Sequence, residues 1–523
     1  MNLWRKWALP ALAVLTILWL AAGAGRVWCL DDGLRLLAAS GSAVHRITDL
    51  GQVVNSLPGA PVMPDALARS TFPLAEPFVH WDGATPRLVF PPLYLGLLWL
   101  FLRVGQAGPV LLALATTFLL AWAARRLAMS RGARLEDPTW LAALLASPVL
   151  FYLGTSWEVG ITTALLLLLV QEEHQPLPER SSFAYGLLPW ARPEMLVLWV
   201  GAFLLLKGGR RRLMALGGFV AGTLLHRAMT GSWLWLQVLE NTKGQGPQLL
   251  ERLARFWLPE TGPWAWGAVM VFVLLGWKRG LPPWARTGTW LLYTTGAASF
   301  LVVQLAGGQT LQPDWGLLLT APLAVAWLAG RSQGALGGKW SKGEILLLAS
   351  LVLISLASPV AEGFHWGPRL LVPLLSVLGL MWVLEERAGP SRRMALALGM
   401  GVQLVGVVLL GLRHAELRRQ DEALQHLRAP VLVTGESWLL GDHPQLAQDR
   451  LVYLPWGASP SRQLVEALRR RHLSELDLVC RPDHPLPRYL EDSLGLKPLS
   501  LPQALQGGSL TRALEWRRYG LNP

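Results

Sequence analysis

Residues 7–25 read WALPALAVLTILWLAAGAG, and the chain continues Arg26-Val27-Trp28-Cys29-Leu30-Asp31-Asp32-Gly33. The first stretch is apolar throughout and close to the ~20 residues that cross the hydrocarbon of a bilayer. Met1-Asn2-Leu3-Trp4-Arg5-Lys6 ahead of it resembles the start of a signal peptide. The run lacks a small-x-small cleavage site in a polar setting, and further apolar runs follow. It therefore reads as an uncleaved first helix. An acidic pair falls just past its end, on the far side from the basic N-terminus.

Apolar runs recur as far as residue 412 in a chain of 523 residues that is 52% hydrophobic and 15% charged. Candidate spans are 7–25, 107–124, 138–153, 159–171, 181–191, 195–206, 213–229, 263–277, 288–305, 316–330, 343–358, 368–385 and 394–412, about thirteen in all. The pattern is that of a mainly α, polytopic helical membrane protein.

A net charge of +13 in a soluble protein would point to nucleic acid. Here its placement argues otherwise. The loops around Arg5, Arg125–Arg134, Arg180, Lys207–Arg212, Lys278–Arg286, Arg331–Lys342 and Arg387–Arg393 hold twenty basic and eight acidic side chains. That excess of twelve is nearly the whole net charge, and it is the positive-inside signature. Nucleic acid is excluded as a partner, the bilayer is expected as one, and the N-terminus is expected in the cytoplasm of a plasma (inner) membrane protein.

Parity then decides one ambiguous run. If Val89–Val104 spanned, every later basic loop would face outward. It reads instead as an interfacial or re-entrant helix of a first external loop, 26–106. Phe90-Pro91-Pro92-Leu93-Tyr94 suits a chain turning at the interface. Another helical stretch is expected near 32–40.

From Arg413 onward charges become dense. Short apolar runs at 430–433, 450–454 and 476–479 alternate with helical stretches such as 460–473. This predicts a small extracytoplasmic α/β domain over 413–523, after a membrane domain over 1–412. That segment shows no Gly-rich phosphate loop and no metal-ligand spacing. His443, His472 and His484 read as surface residues. Cys29 and Cys480 both fall on the outer side, where a disulfide is chemically allowed; two unpaired thiols is the favoured reading.

Sparse polar residues gather at the outer ends of the spans: Glu158, Arg192, Glu194, His226, Arg227, Gln309, Asp314, Glu362, His365 and Arg369. Ionisable groups so placed are functional candidates.

Four motifs stand in order along residues 7–412: Asp31-Asp32-Gly33-Leu34-Arg35-Leu36-Leu37; Val79-His80-Trp81 leading to Phe90-Pro91-Pro92-Leu93-Tyr94; Arg192-Pro193-Glu194; and Trp366-Gly367-Pro368-Arg369-Leu370-Leu371-Val372-Pro373. Together they resemble the GT-C class of glycosyltransferases, polytopic enzymes that use polyprenyl-phosphate-linked sugars. The chain departs from that class in three places. Relatives often carry Asp-Glu at the acidic pair, then an aromatic where Leu34-Arg35 stand, and a fuller glycine-and-acid run where this chain has Glu362-Gly363-Phe364-His365.

The resemblance implies transfer of a sugar from a polyprenyl-phosphate donor to a lipid or glycan acceptor on the outer face. Such a reaction needs a base for the acceptor proton and positive charge for the departing phosphate. Asp31 or Asp32 supplies the base, and one carboxylate suffices for single-step inversion. Asp31 is favoured because it matches the first acid of the family motif. Arg369 and Arg192 are the phosphate candidates, because guanidinium binds phosphate oxygens through its fork; His365 and Arg35 assist. His80, Glu158, Glu194, Glu362 and Trp366 are candidates for substrate contact, with Glu194 also placed to orient Arg192. No metal ligand set is assigned; a divalent cation (Mg or Mn), used by some members of the class, stays open.

Plainer readings stand beside these. Asp31-Asp32 also fits a helix N-cap, Arg192 with Glu194 a structural pair, and Arg369 an anchor at a helix start. A transporter or flippase is the main rival, although it would favour internal repeats and polar groups at mid-depth. A non-catalytic envelope assembly protein is the third reading. The C-terminal domain is expected to tune the chemistry rather than perform it, so that a chain ending near Arg419 keeps transfer.

Overall fold

In the computed structural model the described residues are, with short internal gaps, 79–82, 85–88, 91–233, 320–357, 370–505 and 511–521, together with Gly33, Arg35, Leu36 and Ala39. The first span, the spans at 263–277 and 288–305, and the stretch 358–369 lie outside them. The chain sorts into two compact units. One comprises 1–24, 107–225 and 242–410; the other comprises 25–106, 226–241 and 411–523.

The first unit is helical. Numbered among the described elements, its helices are α2 (Gly108–Ser130), α3 (Thr139–Leu145), α4 (Val149–Leu153), α5 (Val159–His174), α6 (Ser181–Gly186), α7 (Leu188–Ala191), α8 (Leu196–Leu205), α9 (Gly209–Thr230), α10 (Pro322–Ser332), α11 (Lys342–Ala357) and α12 (Val372–Glu385). Helix α13 (Pro390–Leu424) begins in this unit and ends in the other. Among the described residues, two helices are long and apolar enough to cross a membrane, Gly108–Ser130 and Arg392–Leu424; Pro92–Leu102, Pro193–Leu205 and Val372–Glu385 are shorter apolar helices.

Two expected spans are broken where proline removes a backbone donor. The run 138–153 forms α3 and α4, with Pro148 between them, and 181–191 forms α6 and α7, with Pro189 near the start of the second. Hydropathy alone reads through such breaks. The last span, expected to end at 412, continues as helix to Leu424. The change at Arg413 is thus one of composition and not of secondary structure.

Helices α5 and α12 form the core of the unit. Every residue of α12 from Val372 to Val383 is buried. A side chain at Gly160 in α5 would come within 2.6 Å of Thr116 in α2, and one at Gly379 in α12 within 2.8 Å of Leu323 in α10. Small residues at such crossings let helix backbones approach closely. Meanwhile Phe118, Leu204, Leu213, Leu224, Leu353 and Leu404 are exposed. That inverts the soluble rule of polar groups outward and matches a lipid-facing wall.

Among the described residues, the basic stretches after α2 and at the starts of α9 and α11 meet acids at the ends of α5 and α12. Arg131, just past α2, pairs with Glu385 at the end of α12, and Arg211 pairs with Glu172 near the end of α5. Glu173 accepts from the backbone N–H of Lys342 and of Gly343, both at 2.9 Å, and so caps α11 from outside. Ser341 and Glu344 cap the same helix reciprocally: Glu344 N–H donates to Ser341 Oγ at 3.1 Å, and Ser341 N–H donates to the Glu344 carboxylate at 2.8 Å. Gly160, near the start of α5, approaches Thr116 in the first half of α2.

The second unit contains a β-hairpin, β1 (Val79–Asp82) and β2 (Thr85–Leu88), in which His80 is opposite Arg87. Helix α1 (Pro92–Leu102) follows. Its 11 residues, at 1.5 Å each, reach only about 16 Å, half of a bilayer's hydrocarbon.

The C-terminal segment folds as a sheet with strand order β4 (Leu451–Tyr453), β3 (Val431–Thr434), β5 (Glu475–Cys480), β8 (Leu514–Gly520), β6 (Lys497–Pro498); β7 (Gln503–Leu505) also pairs with β8. Strands β4, β3 and β5 are parallel, and β8 is antiparallel to β5. Parallel strands are buried on both faces and read as continuous apolar runs, which is why 430–433 and 476–479 were legible. Of the stretch 460–473, Arg462, Val465, Glu466, Leu468 and Arg469 are described as helical. Val465 and Leu468 pack into the core with Val431, Val433, Leu476, Leu478 and Tyr519.

One charge is buried there. Asp477 accepts from the N–H of Arg428 and of Ala429, each at 2.9 Å, and from Arg518 Nε at 2.8 Å. It thereby ties the approach to β3 and the last strand to β5. Cys480 is a free, buried thiol.

Candidate functional site

Helix α7 ends at Ala191, and Arg192 takes an extended conformation (φ −149°, ψ 122°) before the 3-10 turn Pro193–Met195. Pro193 enforces this, because the residue before a proline is pushed away from helical geometry. The same short turn brings Glu194 back under the guanidinium. Arg192 donates to Glu194 Oε1 from Nε at 3.1 Å and from Nη2 at 2.7 Å.

Glu158 completes the group. It precedes α5, and its Oε1 lies 3.8 Å from Arg192 Nε. Both Arg192 and Glu158 are 2% exposed. Tyr152 and Trp157, both buried, pack their rings 5.8 Å apart just ahead of Glu158. One guanidinium between two carboxylates thus sits at the start of α5. Basic loops meet acids at the other end of that helix.

Arg35 lies in the second unit, is helical like Gly33, Leu36 and Ala39, and is buried. His80 is on β1. Asp31, Asp32, Glu362, His365, Trp366 and Arg369 lie outside the described residues. His226 is buried near the end of α9, and the neighbouring Arg227 stacks over Trp233 at 5.2 Å.

The second unit also holds charges that the sequence reading did not single out. Arg413 donates to Asp442 at 2.8 Å, with both side chains nearly buried. His443 Nδ1 shares a 2.5 Å hydrogen bond with Asp421, which also accepts from Gln445. His443 has no solvent exposure, so its reading as a surface residue is corrected. The pairing partner stands 22 positions earlier, a separation that carries no local pattern. At the end of β3, buried Glu436 accepts from Trp438 Nε1 at 2.8 Å and from Arg481 Nε at 2.9 Å. Among the described residues no three of His, Cys, Asp or Glu are gathered as a metal site.

No protein-family profile matches the chain, and no curated protein sequence does. Among solved structures, the chain is similar to ArnT from Cupriavidus metallidurans bound to undecaprenyl phosphate: 11% identity, 100% of this chain and 99% of that chain covered, TM-score 0.46. It is similar also to ArnT from Cupriavidus metallidurans in the apo state: 12% identity, 98% of each chain covered, TM-score 0.43. At such identity and superposition the likeness assigns no role to any residue here.

Proposed function

We propose that this chain is a GT-C-type membrane glycosyltransferase of about thirteen spans. It moves a sugar from a polyprenyl-phosphate donor to a lipid or glycan acceptor at the outer face of the plasma membrane, with inversion. Asp31 is the base, with Asp32 beside it. Arg369 holds the donor phosphate, assisted by His365 and Arg35. His80, Glu362 and Trp366 contact substrate. The Arg192 guanidinium is already engaged by Glu158 and Glu194, so its role in this reading is to fix the outer end of α5 and the turn before α8.

The observation that carries the reading is the segregation of charge in the helical unit. Basic loops collect at one end of α5, and a buried carboxylate-rich group sits at the other. Among the described residues the buried charged side chains of the helical unit, Glu158, Arg192 and Glu344, all lie at helix ends. A transporter needs polar sites near mid-depth; an enzyme acting on a lipid phosphate at the interface needs them at one end.

The test is cell-free transfer. Full-length protein in detergent receives labelled sugar on polyprenyl phosphate together with a lipid-extract acceptor, with and without a chelator. Labelled acceptor is the expected product, and the chelator arm decides the need for Mg or Mn. No transfer from any polyprenyl-phosphate sugar, alongside labelled-lipid translocation in proteoliposomes, overturns the enzyme reading in favour of a flippase.

A further inference from the structure

Gly33 follows the acidic pair directly, and its helix is packed against the C-terminal segment. A side chain built at Gly33 would collide with the carbonyl oxygen of Gly441 and lie 2.8 Å from Gly441 Cα. Two backbones are therefore in contact, which only a residue without Cβ permits. Both glycines are buried.

Gly441 belongs to the short helix α14 (Leu439–Asp442), and that helix is fastened on either side of the contact. Asp442 accepts from Arg413 Nη2 at 2.8 Å, and His443 Nδ1 shares a 2.5 Å hydrogen bond with Asp421 Oδ1. Both partners lie on the last turns of α13. Those turns are themselves docked on the C-terminal segment: Thr511 Oγ1 donates to Glu416 at 3.1 Å, and Gln420 donates to the Arg512 carbonyl at 2.8 Å. Charge-assisted bonds at two successive buried residues, Asp442 and His443, leave α14 little freedom. Arg35, two residues past Gly33, is also buried.

We propose that the α14 turn, residues 439–443, is the positioning element of the acidic motif, because it seats the backbone at Gly33, the residue to which Asp32 is bonded. Gly441, Arg413 and Asp442 are then positioning residues for the transfer reaction. The inference rests on the glycosyltransferase reading, and it replaces the expectation that a chain ending near Arg419 keeps transfer.

Two variants of the full-length protein test it from opposite sides. Gly33→Ala forces the backbones apart; Asp442→Asn loosens α14 without touching the first loop. Amide hydrogen exchange is read at 33–39, with β5 (475–480) as the control for an intact domain, and transfer is assayed in parallel. Both variants are expected to lose exchange protection at 33–39 and keep it in β5. Turnover is expected to fall by about a hundredfold, the scale of an ångström-sized misplacement, with donor KM near that of the parent. Unchanged protection at 33–39 in both variants overturns the seat. Lost protection with parental turnover overturns the positioning role. A parent that transfers no sugar defeats the glycosyltransferase reading instead, and exchange alone then decides whether the seat exists.

Discussion

Arg192 and Glu158 face each other at 3.8 Å, each almost wholly withdrawn from solvent, at the start of a helix whose other end is tied to basic loops. They are 34 residues apart in sequence and meet because Pro193 turns the chain back there. Such a pair is held in place by the cost of leaving either charge alone.

Removing Arg192 leaves two carboxylates facing one another with their shared cation gone. Arg192→Ala is therefore expected to lower stability by about 3–5 kcal/mol, the usual cost of stranding a buried charge. Glu158→Gln, which retains Glu194 as a partner, should lie well below that. Thermal unfolding in detergent measures both. A parental melting curve for Arg192→Ala would mean that the group contributes nothing to the fold.

Topology gives a second expectation. Open space surrounds Gly209, at the start of α9 beside a basic loop. A cysteine there, in a chain lacking Cys29 and Cys480, should be shielded from an impermeant thiol reagent in intact cells. A cysteine at Gly507 should react. Labelling at Gly209 with protection at Gly507 would reverse the orientation and place the Arg192 group in the cytoplasm.

Burial, reinforced by the negative charges of Glu515 and Glu436, pushes the Cys480 thiol up to about 12 from an ordinary 9.0. The native thiol should therefore resist iodoacetamide at pH 8 and react only on unfolding. The sign for stability follows. Below pH 9.0 both states hold the proton and the group contributes no pH dependence. Between pH 9.0 and about 12 only the unfolded state releases it, so stability falls as pH rises. Denaturant titrations across that range should show the slope, and Cys480→Ala should remove its thiol component.

Much of the helical layout was legible because its signal is length. The run 159–171 appears as Val159–His174, and 343–358 as Lys342–Ala357. The interfacial reading of 89–104 rested on charge parity; the helix described there is Pro92–Leu102. Hydropathy failed at Pro148 and Pro189, where the backbone and not composition decides. At the site, Arg192 and Glu194 were legible as neighbours in sequence. The approach of Glu158 and the seat of Gly33 on Gly441 were not, since long-range backbone contacts leave no mark in local pattern. The acidic cap on α11 from Glu173 was hidden for the same reason, whereas Ser341 and Glu344 spell their capping box openly.

In the proposed reaction the acidic pair is where the chemistry is decided. Asn at position 31 keeps the size of Asp and its capacity to cap a helix, but it accepts no proton at neutral pH. Membrane insertion and folding should survive Asp31→Asn, while turnover falls by about two to four orders of magnitude, the usual worth of a general base. Asp32→Asn should cost less, through geometry or a shared ion. Arg369→Ala should weaken donor use by about 1.5–3 kcal/mol, the scale of a charge-assisted bond, and Arg369→Lys, which keeps charge without the fork, should lie between. Transfer kinetics at varied donor concentration separate the two effects: loss at Asp31 appears in kcat, loss at Arg369 in the donor KM. If Asp31→Asn and Asp32→Asn, singly and together, turn over like the parent, the pair is a helix cap and the base lies elsewhere.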